Sequence, residues 1–159
     1  MTVIAWDGYT LAADKRGNSG AGSPVIRVTK IRRLADGSLV GWCGGLHFAE
    51  AIVQWIEAGA DPQIAEDKWF EHEELAGQVL RIMPDKTILL YEHAFPITVE
   101  NHIYAIGSGS PYAAAAMFLG HSAETAVTVA SEFDTSCGNG VDTLQLEELI
   151  NEQLPPVER

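Results

Sequence analysis

Thr2-Val-Ile-Ala-Trp-Asp-Gly-Tyr-Thr-Leu-Ala-Ala-Asp14 reads as two short apolar strands joined at Asp7-Gly8, a strong two-residue hairpin signal. The hairpin puts a hydroxyl residue at the head of one strand and an aspartate at the end of its neighbour. Were Met1 removed, Thr2 would carry a hydroxyl and a free α-amine on one residue. Such an amine has an unperturbed pKa of about 8, far closer to neutrality than a lysine side chain. An N-terminal threonine can therefore combine nucleophile and base. Small second residues are common, however, and Thr2 needs partners elsewhere in the chain before that reading has weight.

Outward from the hairpin, residues 16–24 are rich in Gly, Ser and Asn and are expected as a loop. Residues 25–34 and 38–42 read as two further strands turning at Asp36-Gly37. Four consecutive strands with hairpin turns point to antiparallel sheet, not βαβ units. Residues 46–58 carry Leu46, Ala49, Val53 and Ile56 at helical spacing, with Gly59 as terminator. Residues 60–73 are polar and acidic and take no assignment. Residues 75–82 and 87–91 form a hairpin across Pro84-Asp85, and 95–99 and 103–106 are short strands. Residues 111–119 form a helix stopped by Gly120, and Ser122 caps a second helix through Phe133. A turn at 137–139 and a last strand at 141–146 complete an α+β domain over residues 1–150. The Pro155-Pro156 tail, 151–159, is expected to be loose.

The chain has 159 residues and 47% hydrophobic content, enough for one domain with a core. Its net charge of −12 argues against a nucleic-acid partner, which would need concentrated Lys and Arg. Part of the acidity lies between Glu57 and Glu74, where Lys68 is the sole basic residue; such a stretch is ordinarily a solvated face. Apolar runs such as 113–119 are too short to cross a bilayer. The opening lacks the basic and apolar regions of a signal peptide, so a cytoplasmic location and no membrane partner are expected. Cys43 and Cys137 lie far apart without a CxxC pair, which fits buried reduced thiols. The five histidines are scattered, so no metal site and no cofactor are expected.

A threonine nucleophile needs a cation beside its hydroxyl, a carboxylate to hold that cation, and donors for an oxyanion. Asp14, Lys30, Gly44-Gly45 at a strand-to-helix junction, Ser108 before a helix, and Asp134 at the end of the last helix are candidates. Singly, each has a plain structural reading: a turn residue, a surface charge, a tight turn. Gly107-Ser-Gly-Ser110 lacks the Gly-Lys-Ser/Thr ending of a phosphate-binding P-loop.

In order and spacing, several stretches resemble the proteasome β-type subunits of the N-terminal-nucleophile (Ntn) hydrolases, nearest to HslV-type peptidases and their small bacterial or phage relatives. They are Thr2-Val-Ile-Ala, Leu11-Ala-Ala-Asp14, Lys30-Ile-Arg-Arg-Leu34, Gly41-Trp-Cys-Gly-Gly45 and Ala105-Ile-Gly-Ser-Gly-Ser-Pro-Tyr-Ala113. Residues 123–134 and 138–142 match more weakly. The resemblance implies an αββα four-layer sandwich, two antiparallel sheets between helix layers. It implies a threonine-type endopeptidase working through an acyl-enzyme on Thr2 after loss of Met1. Lys30 would lower the Thr2 hydroxyl pKa, Asp14 would hold Lys30, and the Gly44 amide would form the oxyanion hole. Ser108 and Asp134 would tune the Thr2 amine, and Cys43 with Arg16 would line the substrate pocket. Partners implied are a homo-oligomeric ring of six or seven subunits, which can be stacked, an ATPase unfoldase, and peptide or unfolded-protein substrates.

Three departures from the family pattern stand out. Residues 60–74 leave little room for the second long helix of HslV-type chains. Cys137 stands where proteasome subunits often have serine. Met1 precedes the candidate nucleophile. An inactive ring or scaffold protein of the same fold, and an amidase acting on small amides, therefore stay open beside the peptidase.

Overall fold

The computed structural model describes residues 2–18, 20, 22–61 and 77–147. Four strands, β1 (Ile4–Trp6), β2 (Thr10–Asp14), β10 (Tyr104–Ile106) and β11 (Val141–Gln145), form a sheet in the order β10-β1-β2-β11. Five strands form a second sheet in sequence order: β5 (Ile31–Arg33), β6 (Leu39–Cys43), β7 (Gln78–Ile82), β8 (Ile88–Tyr91) and β9 (Ile97–Val99). A short ribbon pairs β3 (Arg16–Gly17) with β4 (Ile26–Arg27). Every pairing among the described residues is antiparallel. Helix α1 (Leu46–Glu57) covers the five-stranded sheet; α2 (Ser110–Phe118) and α3 (Ala123–Phe133) cover the four-stranded one. The result is the expected αββα sandwich.

Side-chain alternation along the strands builds these layers. Ile4, Trp6 and Leu11 point between the sheets, where they meet Leu39, Leu80, Ile82 and Ile88. Each fully buried side chain of this size contributes roughly 1.5–3 kcal/mol, so this layer is a principal source of stability. Gly41 lies in the same layer because a Cβ there would stand 2.6 Å from Ile4 Cγ2. Val3, Ala5 and Ala12 face the opposite way, onto Ala113, Ala116, Ala126 and Ala130 of the two helices. Small residues on both sides let the helix backbones sit close to the sheet. On the far side, Val40, Trp42 and Val79 pack against Phe48, Ile52, Val53 and Ile56 of α1.

The caps follow the sequence signals. Ser122 Oγ accepts from the Thr125 N–H at 3.2 Å at the start of α3. Asp7 Oδ1 accepts from the Tyr9 and Thr10 amides, while its Oδ2 accepts from Ala123 N at 2.8 Å and ties the first hairpin to α3.

One expectation is corrected. Residues 25–34 are not one strand: Ile26–Arg27 pairs with Arg16–Gly17, inside the stretch expected to be loop, and Ile31–Arg33 joins the five-stranded sheet. The first four strands divide between the two expected sheets. The β1–β2 hairpin belongs to one layer and β5–β6 to the other, because each hairpin buries its apolar face against the other. The expected shortening of the second helix, most of the acidic stretch and the tail fall on residues 62–76 and 148–159, outside the described residues. Among the described residues, no helix is long and apolar enough to cross a membrane.

Candidate active site

The first hairpin carries Thr2 and Asp14 to one end of the four-stranded sheet. Ile4 pairs with Ala13, so the residues flanking that pair face each other, and Asp14 N donates to Val3 O at 3.2 Å. Asp14 is fully buried and Thr2 is 2% exposed. The Thr2 hydroxyl donates to Asp14 Oδ1 at 3.0 Å, as does the Val3 amide at 3.0 Å. Lys30 Nζ donates to the same oxygen at 2.7 Å. Asp14 Oδ2 accepts from the Arg16 amide at 3.2 Å and the Gly138 amide at 3.0 Å. A buried carboxylate is costly unless paired and fully hydrogen-bonded. Here one cation, one hydroxyl and three amides meet that need.

Lys30 reaches inward because the chain breaks between the ribbon and the second sheet. Val28 N donates to Lys15 O at 2.9 Å on one side of the break, and Trp42 N donates to Lys30 O at 3.1 Å on the other. The side chain then leaves the sheet edge toward Asp14 and is 7% exposed.

Residues 107–110 close over Thr2. The Thr2 N–H donates to Ser108 Oγ at 3.2 Å, and Gly109 N donates to the Thr2 carbonyl at 3.1 Å. Gly107 has φ +93, and a Cβ on it would overlap the Thr2 carbonyl; one on Gly109 would stand 2.9 Å from Cys137 Sγ and from Val3 Cβ. The glycines of this loop thus make room for the Thr2 backbone.

Asp134 ends α3 behind this loop. A hydrogen bond from the Ser108 hydroxyl, then the Ser136 amide at 2.8 Å, holds its carboxyl below the usual carboxylate range. Cys137 Sγ lies 3.4 Å from Asp134 Oδ2 and 4.0 Å from Ser108 Oγ. Burial, followed by the charges of Asp14 and Asp134, pushes its thiol up to about 12. Burial also raises the Cys43 thiol.

Thr2 and Lys30 open on a cleft of about 840 Å³. Arg16, Cys43 and Gly44 line it, as do Trp42, His47 and Thr135, which the sequence reading did not single out. Gly44, at φ +95, turns the chain from β6 into α1. Gly45 at the N-cap of α1 has no side chain to cap it, and no acidic residue occupies the first turn, so the start of the helix presents N–H groups on this wall. The structure therefore gathers Thr2, Asp14, Lys30, Ser108 and Asp134 into one network and sets Gly44, Cys43 and Arg16 around the adjoining cleft. The Gly138 amide was not anticipated: its contact with Asp14 spans 124 positions and leaves no local signal. Among the described residues, no group of three or more His, Cys, Asp or Glu could hold a metal ion.

No family model and no curated protein matches the sequence. Solved structures do. Eukaryotic HslV from Trypanosoma brucei superposes with a TM-score of 0.68 at 21% identity, covering 92% of this chain and 98% of that one. Thiobacillus denitrificans BPH superposes at 0.65 with 23% identity, covering 92% and 98%. The same protein in complex with epoxomicin superposes at 0.65 with 26% identity, covering 92% and 100%. The chain shares the fold of the HslV and proteasome β-type N-terminal-nucleophile hydrolases, the group its sequence resembles.

Proposed function

We propose that this chain is a threonine-type endopeptidase whose nucleophile is Thr2 after removal of Met1. The observation that carries the reading is the shared oxygen: Asp14 Oδ1 receives both the Thr2 hydroxyl and the Lys30 ammonium. A cation held beside the hydroxyl favours its ionised form.

The released Thr2 α-amine accepts the Oγ1 proton, and Oγ1 attacks the peptide carbonyl carbon. The Gly44 amide receives the oxyanion. Collapse breaks the C–N bond, the leaving amine takes the proton, and an ester remains on Thr2. Water, deprotonated by the same amine, hydrolyses that ester. Ser108 Oγ, which already accepts from the Thr2 nitrogen, and Asp134 behind it orient the amine. A structure of the same fold was solved in complex with epoxomicin, which supports an inhibitor- or peptide-binding cleft here.

The subunit assembles with copies of itself into a ring of six or seven and takes unfolded chains from an ATPase partner. Exposed Phe118 and Leu119 at the end of α2 and Phe133 at the end of α3 offer apolar surface for self-association. Buried free thiols accord with a cytoplasmic location.

The test is intact mass together with epoxomicin labelling and peptide hydrolysis. Loss of Met1, one adduct on Thr2, and hydrolysis abolished by Thr2→Ala with the oligomer intact are expected. A retained Met1 in the native protein, with no adduct and no hydrolysis, would favour the second reading, an inactive ring or scaffold protein. Cys137 Sγ, a weak hydrogen-bonding group 4.0 Å from Ser108 Oγ, gives that reading its footing.

A further inference from the structure

The charge of the cleft runs against the charge of the chain. The protein carries 22 acidic and 10 basic residues. Yet the cleft beside Thr2 is lined by Arg16, Lys30 and His47 and by no aspartate or glutamate among the described residues. Lys30 is already committed to Asp14 at 2.7 Å, which leaves Arg16 as the lining cation without an ion pair among the described residues.

Arg16 is half-buried, and its guanidinium has no carboxylate partner among the described residues. The other cations around it do not offer one. Arg27 stands directly opposite Arg16 in the β3–β4 ribbon, with its guanidinium against Gly140. Lys15, between Asp14 and Arg16, is turned to Asp142 at 2.5 Å. Like charges directly opposite one another across a strand pair are unfavourable, and an anion between or beside them relieves the repulsion. The ribbon keeps Arg16 near the nucleophile: its backbone amide binds the same Asp14 carboxylate as the Thr2 hydroxyl. Ile26, Val28, Trp42 and Leu46 supply apolar walls around the charged mouth. Such walls strengthen the field of a fixed charge and pack the methylenes of a long acidic side chain.

We propose that the cleft selects peptides with a glutamate or aspartate side chain next to the scissile bond, and that Arg16 is the residue that recognises it. The proposal names the substrate class of the site assigned above and rests on the reading of this cleft as peptide-binding. It also predicts rejection of peptides with Lys or Arg at that position, which would place two cations together.

A binding experiment separates this inference from catalysis. Fluorescent hexapeptides differing only in Glu, Gln or Lys at one position are titrated into full-length Thr2→Ala protein, and anisotropy is read. The Glu peptide should bind on the order of tenfold more tightly than its Gln counterpart at low salt, the scale of one charge-assisted contact. The margin should shrink several-fold at about 0.5 M salt. Arg16→Gln should remove the margin and Arg16→Lys should restore part of it. Equal binding of the Glu and Gln peptides, binding of neither, or a margin that survives in Arg16→Gln would each overturn the proposal. Epoxomicin labelling of the wild-type chain is read separately: labelling with no Glu margin refutes the specificity alone. A Glu margin without labelling or hydrolysis refutes the peptidase and leaves an acidic-peptide-binding cleft.

Discussion

The Lys30 ammonium stands 2.7 Å from Asp14 Oδ1, with the two side chains 7% and 0% exposed. Removing one member of such a pair strands the other in a poorly solvated place. Asp14→Asn is therefore expected to cost about 3–5 kcal/mol of folding stability, measured by urea denaturation. The double variant Asp14→Asn with Lys30→Met should regain a good part of that loss. A single variant as stable as the wild type would show that the pair does not organise this end of the sheet.

Ser108 links Thr2 to Asp134. In Ser108→Ala the Asp134 carboxyl loses the largest influence holding it below its ordinary value of 3.8, so its titration should move up toward that value, followed by NMR. The sign for stability is that of a depressed carboxylate. Its contribution is present above the unfolded pKa and is lost as pH falls through the folded one. The variant should lose part of that contribution and so be less stable than the wild type near neutrality, with the deficit closing in acid. In the peptidase reading, Ser108→Ala also lowers kcat by roughly 10²-fold, the scale of a misplaced reacting group.

Gly107 tests the packing of the loop on Thr2. Alanine there meets both an unfavourable φ of +93 and the Thr2 carbonyl. Gly107→Ala is expected to destabilise by more than about 2 kcal/mol and to weaken epoxomicin labelling, read by thermal melts and mass spectrometry. Alanine at Gly120, which has a similar φ of +93 but open space, provides the comparison and should cost less.

The two thiols should be inert in the folded protein. The thiolate is the reactive form, and burial raises both groups, Cys137 to about 12. Iodoacetamide at pH 8 should leave the native chain unmodified and add two groups to the unfolded chain, read by intact mass. For Cys137 the protonated form is favoured by the fold. Its contribution is complete below the unfolded pKa and falls away between about 9 and 12. Rapid native alkylation would contradict the burial on which this depends.

Much of the fold was legible in the residues themselves. Strand alternation, Asp7-Gly8, Gly59, Ser122 and Gly120 are local signals, because hydrogen bonds and sterics within a few residues enforce them. The order of Thr2, Asp14, Lys30, Gly44, Ser108 and Asp134 likewise stood in the sequence, since each sits at the end of a local element. What only the tertiary structure decided is non-local. The break between Arg27 and Ile31 exists because the ribbon and the second sheet compete for the same stretch of chain. The Gly138 amide reaches Asp14, and the Arg16 guanidinium has no carboxylate partner among the described residues, through the way distant segments pack. Residue types and their spacing set which groups are available. Burial of both hairpins against each other sets which of those groups share an oxygen, and which charge is left facing the cleft.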